Sequence, residues 1–117
     1  MSDTTFPPTP SLSHAADAQL APWGPLDEAT GPEMITAGLT LWSHDDQEVG
    51  IWECSPGPSR WLLETNEFIH VVAGRMTVTI DGGEPLELAV GDTAVFPLGW
   101  SGTWDIAETL RKIYVIF

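Results

Sequence analysis

Short segments in which apolar and polar residues alternate follow one another along this chain from Met34 onward. Alternation with a period of two is typical of β-strands that bury one face. The clearest of the turns between them is Asp81-Gly82-Gly83, because glycine supplies the positive φ that a tight hairpin needs. About eight or nine short strands with no helical pattern among them predict an all-β sandwich or barrel. The predicted strands cover residues 35–42, 48–54, 60–64, 67–73, 75–80, 86–89, 93–96, 102–106 and 110–117.

The first 33 residues differ from the rest of the chain. They hold prolines at positions 7, 8, 10, 22, 25 and 32, and proline interrupts both helices and strand ladders. Only residues 13–20 allow a short helical turn. We therefore predict an extended N-terminal arm over residues 1–33, followed by a single domain over residues 34–117. Trp23 and Leu26 are expected to hold the second half of the arm to the domain or to a partner subunit.

The charge balance limits the partners of the chain. Its 17 acidic residues face only four basic ones, which gives a formal net charge of −13. Such a surface repels phosphate backbones and anionic lipid heads, so we expect neither a nucleic acid nor a membrane as partner. The single cysteine, Cys54, allows no disulfide within the chain. No apolar run reaches the length of a membrane span and no secretory signal is recognisable, so we expect a cytoplasmic protein.

Two stretches carry more specific information. Residues 57–74 (GPSRWLLETNEFIHVVAG) contain Glu67 and Gly74, which are separated by six residues. Residues 91–104 (GDTAVFPLGWSGTW) begin with a glycine, followed after five residues by proline, any residue and glycine. These spacings resemble the two sequence motifs of the cupin superfamily.

Within that superfamily, the chain resembles the branch of the ethanolamine-utilisation cupin and the cupin domain of ureidoglycine aminohydrolase. The segments that carry this likeness are residues 50–57 (GIWECSPG), Phe96-Pro97, Gly102-Thr103-Trp104 and residues 108–112 (ETLRK). The resemblance implies a jelly-roll barrel, also called a double-stranded β-helix, of about six to eight strands. It also implies a pocket at the centre of the barrel and, in most members, a homodimer.

The metal site of the superfamily is not reproduced. Metal-binding cupins take two histidines and a glutamate from the first motif and a histidine from the second. Glu67 matches the glutamate, but the histidine pair would fall at residues 60 and 62, or at 61 and 63, and the last histidine at Gly102. One carboxylate cannot hold a transition metal, which needs three or more protein ligands. The sequence therefore predicts no metal and no other cofactor.

The pocket residues follow from strand alternation and from the resemblance. Glu67 and Ile69 share one face of their strand, and Trp104 faces inward from another. Arg60 occupies a ligand position of the motif, and Leu62, two residues later, points to the same face of the strand. We predict Arg60, Leu62, Glu67, Ile69 and Trp104 as ligand-binding residues, with Glu67 as the catalytic residue of any acid–base chemistry. A purely structural Arg60–Glu67 ion pair is an equal alternative.

The sequence is compatible with three functions. The pocket can bind a small polar metabolite and move a proton without a metal, with Glu67 as the acid–base group. It can also sense or carry that ligand without a reaction, which makes the protein an accessory module. In the third reading the tryptophans and the arm build a structural dimer, and bulky side chains such as Trp61 or Trp104 fill the pocket. No feature of the sequence identifies the ligand.

Overall fold

The computed structural model describes residues 8–117, in which all regular secondary structure is β. The first seven residues of the predicted arm lie outside this described part. All strand pairings are antiparallel, which confirms the prediction of an all-β jelly roll. No helix that could cross a membrane is found in residues 8–117. The strands are β1 (Ala21–Pro25), β2 (Ile35–His44), β3 (Gln47–Cys54), β4 (Gly57–Leu62), β5 (Glu67–Ile80), β6 (Leu86–Ala89), β7 (Thr93–Phe96) and β8 (Ser101–Ile116).

The two long strands β5 and β8 organise the barrel. They pair with each other along their whole length, and each belongs to two halves of the sheet. In one half, residues 110–116 of β8 pair with β3, which continues through β2 to β1, while β7 pairs with the start of β5. In the other half, residues 101–106 of β8 pair with β4, and the end of β5 pairs with β6. The core lies between these two halves.

Strand β5 changes its inward-facing positions halfway along. Glu67 and Ile69 are buried at odd positions, whereas Met76 and Val78 are buried at even ones. The change occurs at irregular pairings around Gly74, which has a φ of 76°. A Cβ atom on this glycine would lie 2.0 Å from the carbonyl oxygen of Thr109. The glycine that ends the first motif is thus required by both its backbone angle and its close contact with β8.

Strand β1 was not predicted, because it lies within the proline-rich segment. It pairs with β2 at the edge of the sheet, with an irregularity between Pro22 and Gly24. Proline is tolerated in an edge strand because its missing N–H need not face a neighbour. The indole of Trp23 covers Gly38 so closely that a Cβ atom there would lie 2.1 Å from the ring. The small residue on β2 therefore provides the space for Trp23.

Residues before β1 run along the outer side of the barrel. Arg111 donates hydrogen bonds to the carbonyl oxygens of Ala15, at 3.1 Å, and Ala18, at 2.8 Å. The helical turn that the sequence allows over residues 13–20 is reduced to one hydrogen bond, from the Asp17 N–H to the His14 carbonyl. Cationic Arg111 thus fixes this segment to β8.

The core consists of apolar side chains from both halves of the sheet. Cys54 belongs to it, and burial raises the pKa of its thiol to about 11. At neutral pH the thiol is therefore protonated and packs as a small apolar group. The other fully buried members include Met34, Ile69, Val71, Met76, Phe96, Trp104 and Leu110.

Candidate functional site

A cavity of about 240 Å³ opens between the two halves of the sheet. Since a water molecule takes about 30 Å³ in the liquid, this space corresponds to about eight water molecules and admits a small ligand. Most of its wall is aromatic, and three of its lining residues carry a formal charge. The lining residues are Trp23, Glu48, Trp52, Trp61, Glu67, Trp104, Lys112, Tyr114 and Ile116.

A buried ion pair forms the polar part of the cavity wall. The Lys112 Nζ donates a hydrogen bond to the Glu67 Oε2 at 2.7 Å, and their side chains are only 4% and 11% exposed. The ammonium also lies 4.6 Å from the ring centroid of Trp52 and 4.5 Å from that of Trp104. Contact with the negative faces of two indoles adds to the attraction from the carboxylate. The cation is thus enclosed by one carboxylate and two rings.

Strand alternation explains how these groups meet. Trp104, Lys112 and Tyr114 all occupy even positions of β8, so their side chains point to the same interior. Trp52 on β3 is the direct register partner of Lys112. Cross-strand neighbours on one face have Cβ atoms about 5 Å apart, which brings the ammonium over the indole.

Trp61 is fixed against Trp104 and leaves the cavity open. The two rings stack with centroids 4.4 Å apart and planes inclined by 28°. The Trp61 Nε1 donates to the Ser59 hydroxyl at 2.7 Å, and that hydroxyl donates to the Trp104 carbonyl at 3.3 Å. The Trp104 Nε1 itself is buried and finds no acceptor among the described residues. A buried donor without a partner costs about 1–3 kcal/mol.

Tyr114 and Glu48 form a second polar pair in the cavity wall. The Tyr114 hydroxyl donates to the Glu48 Oε2. Burial raises the pKa of Tyr114 above its usual range, and the adjacent Glu48 carboxylate raises it further. Gly50 provides the space for the phenol, because a Cβ atom there would lie 2.7 Å from its hydroxyl oxygen. Tyr114 is therefore a neutral hydrogen-bond donor throughout the physiological pH range.

The structure separates the predicted site residues. Glu67 and Trp104 line the cavity, whereas Ile69 is fully buried in the core. Leu62 is 69% exposed, and Arg60 also points outward. Neither is a cavity residue, because the inward positions of β4 are Ser59 and Trp61, one residue out of step with the predicted pair.

The proposed Arg60–Glu67 ion pair is wrong, because each residue has another partner. The Arg60 guanidinium binds both carboxylate oxygens of Asp81, at 2.5 and 2.6 Å, on the surface. Glu67 is held by Lys112 inside the barrel. The guanidinium hydrogen bonds are also the main reason that the pKa of Asp81 falls to about 2.

Sequence reasoning missed Lys112, Tyr114, Glu48 and the wall residue Trp23. A signal for Lys112 was present, because it stands between Leu110 and Tyr114 at an inward position of the last strand. A lysine at such a position must find an anionic partner within the barrel. Trp23 carried no comparable signal, since its strand was not predicted.

The residues around Glu67 do not fit a transition metal. The ammonium of Lys112 occupies the space beside the carboxylate, and a cation repels a metal ion. Trp61 faces inward at a position of the histidine pair. At Gly102 a Cβ atom would lie 2.2 Å from the Thr79 carbonyl oxygen, which leaves no room for a histidine. Within the described part of the chain, no three His, Cys, Asp or Glu residues come together as ligands.

Solved structures resemble this fold over most of its length. A protein of unknown function of the DUF861 family from Pseudomonas syringae pv. tomato aligns with a TM-score of 0.80 and 21% identity. The alignment covers 87% of this chain but 46% of that protein, so this chain spans less than half of its length. The EutQ protein of Clostridium difficile aligns with a TM-score of 0.68 and 22% identity, over 80% of this chain and 75% of that one.

A third structure has higher identity over a shorter stretch. A DUF861 family protein from Thermotoga maritima is 33% identical, with a TM-score of 0.55, over 57% of this chain and 76% of that one. No curated protein sequence matches the chain. The family model described as the EutQ-like cupin domain matches residues 43–114, which include both motifs and most of the barrel. The chain therefore belongs to the family of EutQ-like cupin domains.

Proposed function

We propose that this protein binds a small polar metabolite in the aromatic cavity, with the Lys112–Glu67 pair as its polar anchor. The observation that carries the proposal is a buried ion pair at the wall of an open cavity. A structural core gains nothing from such a pair, because well-packed apolar residues are often equally or more stable. A binding site does gain from it, since fixed charges orient a polar ligand.

The open cavity favours ligand binding over a purely structural role. Large aromatic side chains could fill the space, but Trp61 and Trp104 stack on each other along one wall. The wall presents aromatic faces together with few, fixed polar groups, as small-molecule sites do. The Tyr114 hydroxyl and the carboxylates of Glu48 and Glu67 supply hydrogen-bonding groups to a ligand.

Acid–base chemistry without a metal is a second candidate function. It is favoured by the presence of two titratable pairs, Lys112–Glu67 and Tyr114–Glu48, in the wall of one cavity. In such a reaction the Glu67 carboxylate takes a proton from the ligand, and the adjacent Lys112 ammonium stabilises the negative charge that develops there. Acid–base catalysis usually divides its work between two groups, and each of these two pairs provides one.

The tryptophans allow a direct test of binding. Six indole N–H groups give separate signals in a nitrogen–proton NMR spectrum, and four of them belong to the cavity wall. We expect members of a library of small polar metabolites to shift the cavity signals in a saturable way. Trp42, on the outer part of β2 and 41% exposed, is the internal control and should not shift.

Variants separate specific from unspecific binding. Glu67→Gln should weaken the binding of any hit, whereas Asp81→Asn, which changes the same charge on the surface, should not. A library in which no compound shifts the cavity indoles, or in which every hit also shifts Trp42, would contradict the proposal. For the acid–base function, a hit must be converted to product by the unaltered protein and not by Glu67→Gln.

A further inference from the structure

We infer that the ligand of the cavity carries a positive charge, as an amine or a quaternary ammonium group does. This inference rests on the proposed function and adds the chemical class of the ligand. Three independent observations support it, namely the pairing of every basic side chain, the charge of the cavity wall and the contacts of the one cation already inside it.

Every lysine and arginine of the chain is already paired with a carboxylate. Lys112 binds Glu67 at 2.7 Å within the cavity. The three arginines lie elsewhere, with Arg60 on Asp81 at 2.5 Å, Arg75 on Glu108 at 3.4 Å and Arg111 on Glu53 at 3.0 Å. An anionic ligand would therefore find no unpaired cation and would have to share Lys112 with the buried Glu67 carboxylate, whose negative charge repels it.

The cavity wall has an excess of negative charge. Glu48 and Glu67 face a single cation, Lys112, which gives a formal charge of −1 within a chain of net charge −13. Glu48 accepts the hydroxyl of Tyr114 and forms no ion pair with a basic side chain in residues 8–117. Low-dielectric walls focus the field of such a charge, which attracts cations and repels anions.

The aromatic wall already holds one cation. The Lys112 ammonium lies about equally close to two indole rings, at 4.6 Å from Trp52 and 4.5 Å from Trp104. Aromatic faces of this kind bind ligand ammonium groups through the same attraction. Trp23 and Trp61 also line the cavity and do not contact Lys112 in this way. Their rings, together with Glu48, form the remaining surface that suits a positive group.

Three probes of similar size test the inference on the full chain. They are 3-aminopropan-1-ol, propane-1,3-diol and 3-hydroxypropanoate, which are positive, neutral and negative at pH 7. We expect the amine to shift the cavity indole signals with a Kd about tenfold below that of the diol, and the acid to bind most weakly. Titrations extend to the order of 100 mM, because so few atoms limit affinity. Added salt should weaken the binding of the amine and not that of the diol.

Glu48→Gln tests the residue that recognises the charge. The amide oxygen can still accept the Tyr114 hydroxyl, so the fold should be retained, as thermal unfolding can verify. We expect this variant to lose about tenfold in affinity for the amine while its affinity for the diol is unchanged. Glu84→Gln removes the same charge from an exposed loop and should leave both affinities as they are.

The outcomes distinguish this inference from the proposed function. If the diol or the acid binds at least as tightly as the amine, the inference that the ligand is positively charged is refuted. The proposed binding of a small polar metabolite in the cavity then still stands. If Glu48→Gln leaves the preference for the amine intact, the role of Glu48 in recognising the positive charge is refuted. If none of the probes shifts a cavity indole and the metabolite library also fails, both the inference and the proposed function are refuted.

Discussion

Lys112 on β8 and Glu67 on β5 join the two long strands on the inner face of the barrel, through a hydrogen bond of 2.7 Å. The pair is nearly free of solvent, with the Lys112 side chain 4% exposed. If only one of two buried charges is removed, the other stays buried without an ion-pair partner. The cost of removing that charge from water then destabilises the folded state. The stability of the barrel should therefore depend on both residues together.

The first prediction concerns this pair. Lys112→Met should lower the free energy of unfolding by about 3–5 kcal/mol, because Glu67 is then buried as an unpaired carboxylate. The double variant Lys112→Met with Glu67→Leu should recover most of the loss. Urea denaturation monitored by tryptophan fluorescence measures both changes. A double variant as unstable as the single one would show that the charges do not act as a pair.

The second prediction concerns Tyr114, the only tyrosine of the chain. Burial and the Glu48 carboxylate raise the pKa of Tyr114, whereas tyrosine in the unfolded chain titrates at about 10. The folded state thus keeps a proton that the unfolded state releases, so stability present below pH 10 is lost as the pH rises above it. An absorbance titration of the phenolate should find its midpoint above that of free tyrosine. In Glu48→Gln the midpoint should fall, and an unchanged midpoint would contradict the role of Glu48.

The third prediction concerns the contact of Trp23 with Gly38. Gly38→Ala places a methyl group where the indole now lies, and overpacking of this kind costs about 1–3 kcal/mol. In a Trp23→Ala background the same substitution should cost much less, because the ring is absent. Thermal or urea unfolding of the unaltered protein, the two single variants and the double variant gives the coupling free energy between positions 23 and 38. Additive effects would show that the ring does not rest on Gly38 in solution.

The fourth prediction concerns the surface pair that the sequence did not foresee. The Arg60 guanidinium, the Ser101 hydroxyl and the charge of Arg60 together lower the pKa of Asp81 to about 2, from an ordinary value of 3.8. The stability that this carboxylate contributes is present above pH 4 and is lost as the pH falls towards 2. A carboxyl NMR titration should give a midpoint near 2 for Asp81. In Arg60→Gln it should return towards 3.8, and a midpoint that stays near 2 would contradict the assignment.

The fold was predictable because its motifs are local. Glu67 and Gly74 in the first motif, with Gly91 and Pro97 in the second, are fixed by turns and strand spacing within short stretches. The change of parity inside β5 was not predictable in the same way, since it depends on the close approach of Gly74 to β8. The sequence accordingly indicated two strands, over residues 67–73 and 75–80, where the structure has the single strand β5.

The candidate site was predictable only in part, for a related reason. A one-residue error in register exchanges the two faces of a strand, so Arg60 and Leu62 were expected inside and Trp61 is found there instead. Glu67 and Trp104 were assigned correctly to the inner face, because residues 67–71 of β5 and residues 102–106 of β8 alternate regularly. The partner of Glu67 depends on which strand lies beside it. That pairing joins residues 45 positions apart and has no local signature.

Trp23 belongs to a stretch of chain that precedes the matched family region, which begins at residue 43. One wall of the cavity therefore lies outside the region that the family model matches, whereas both residues of the charged pair lie inside it. A substitution at Trp23 would change the shape of the cavity while every residue of the two motifs stayed the same. Because β1 is an edge strand, such a change leaves the pairing of the central strands β5 and β8 untouched.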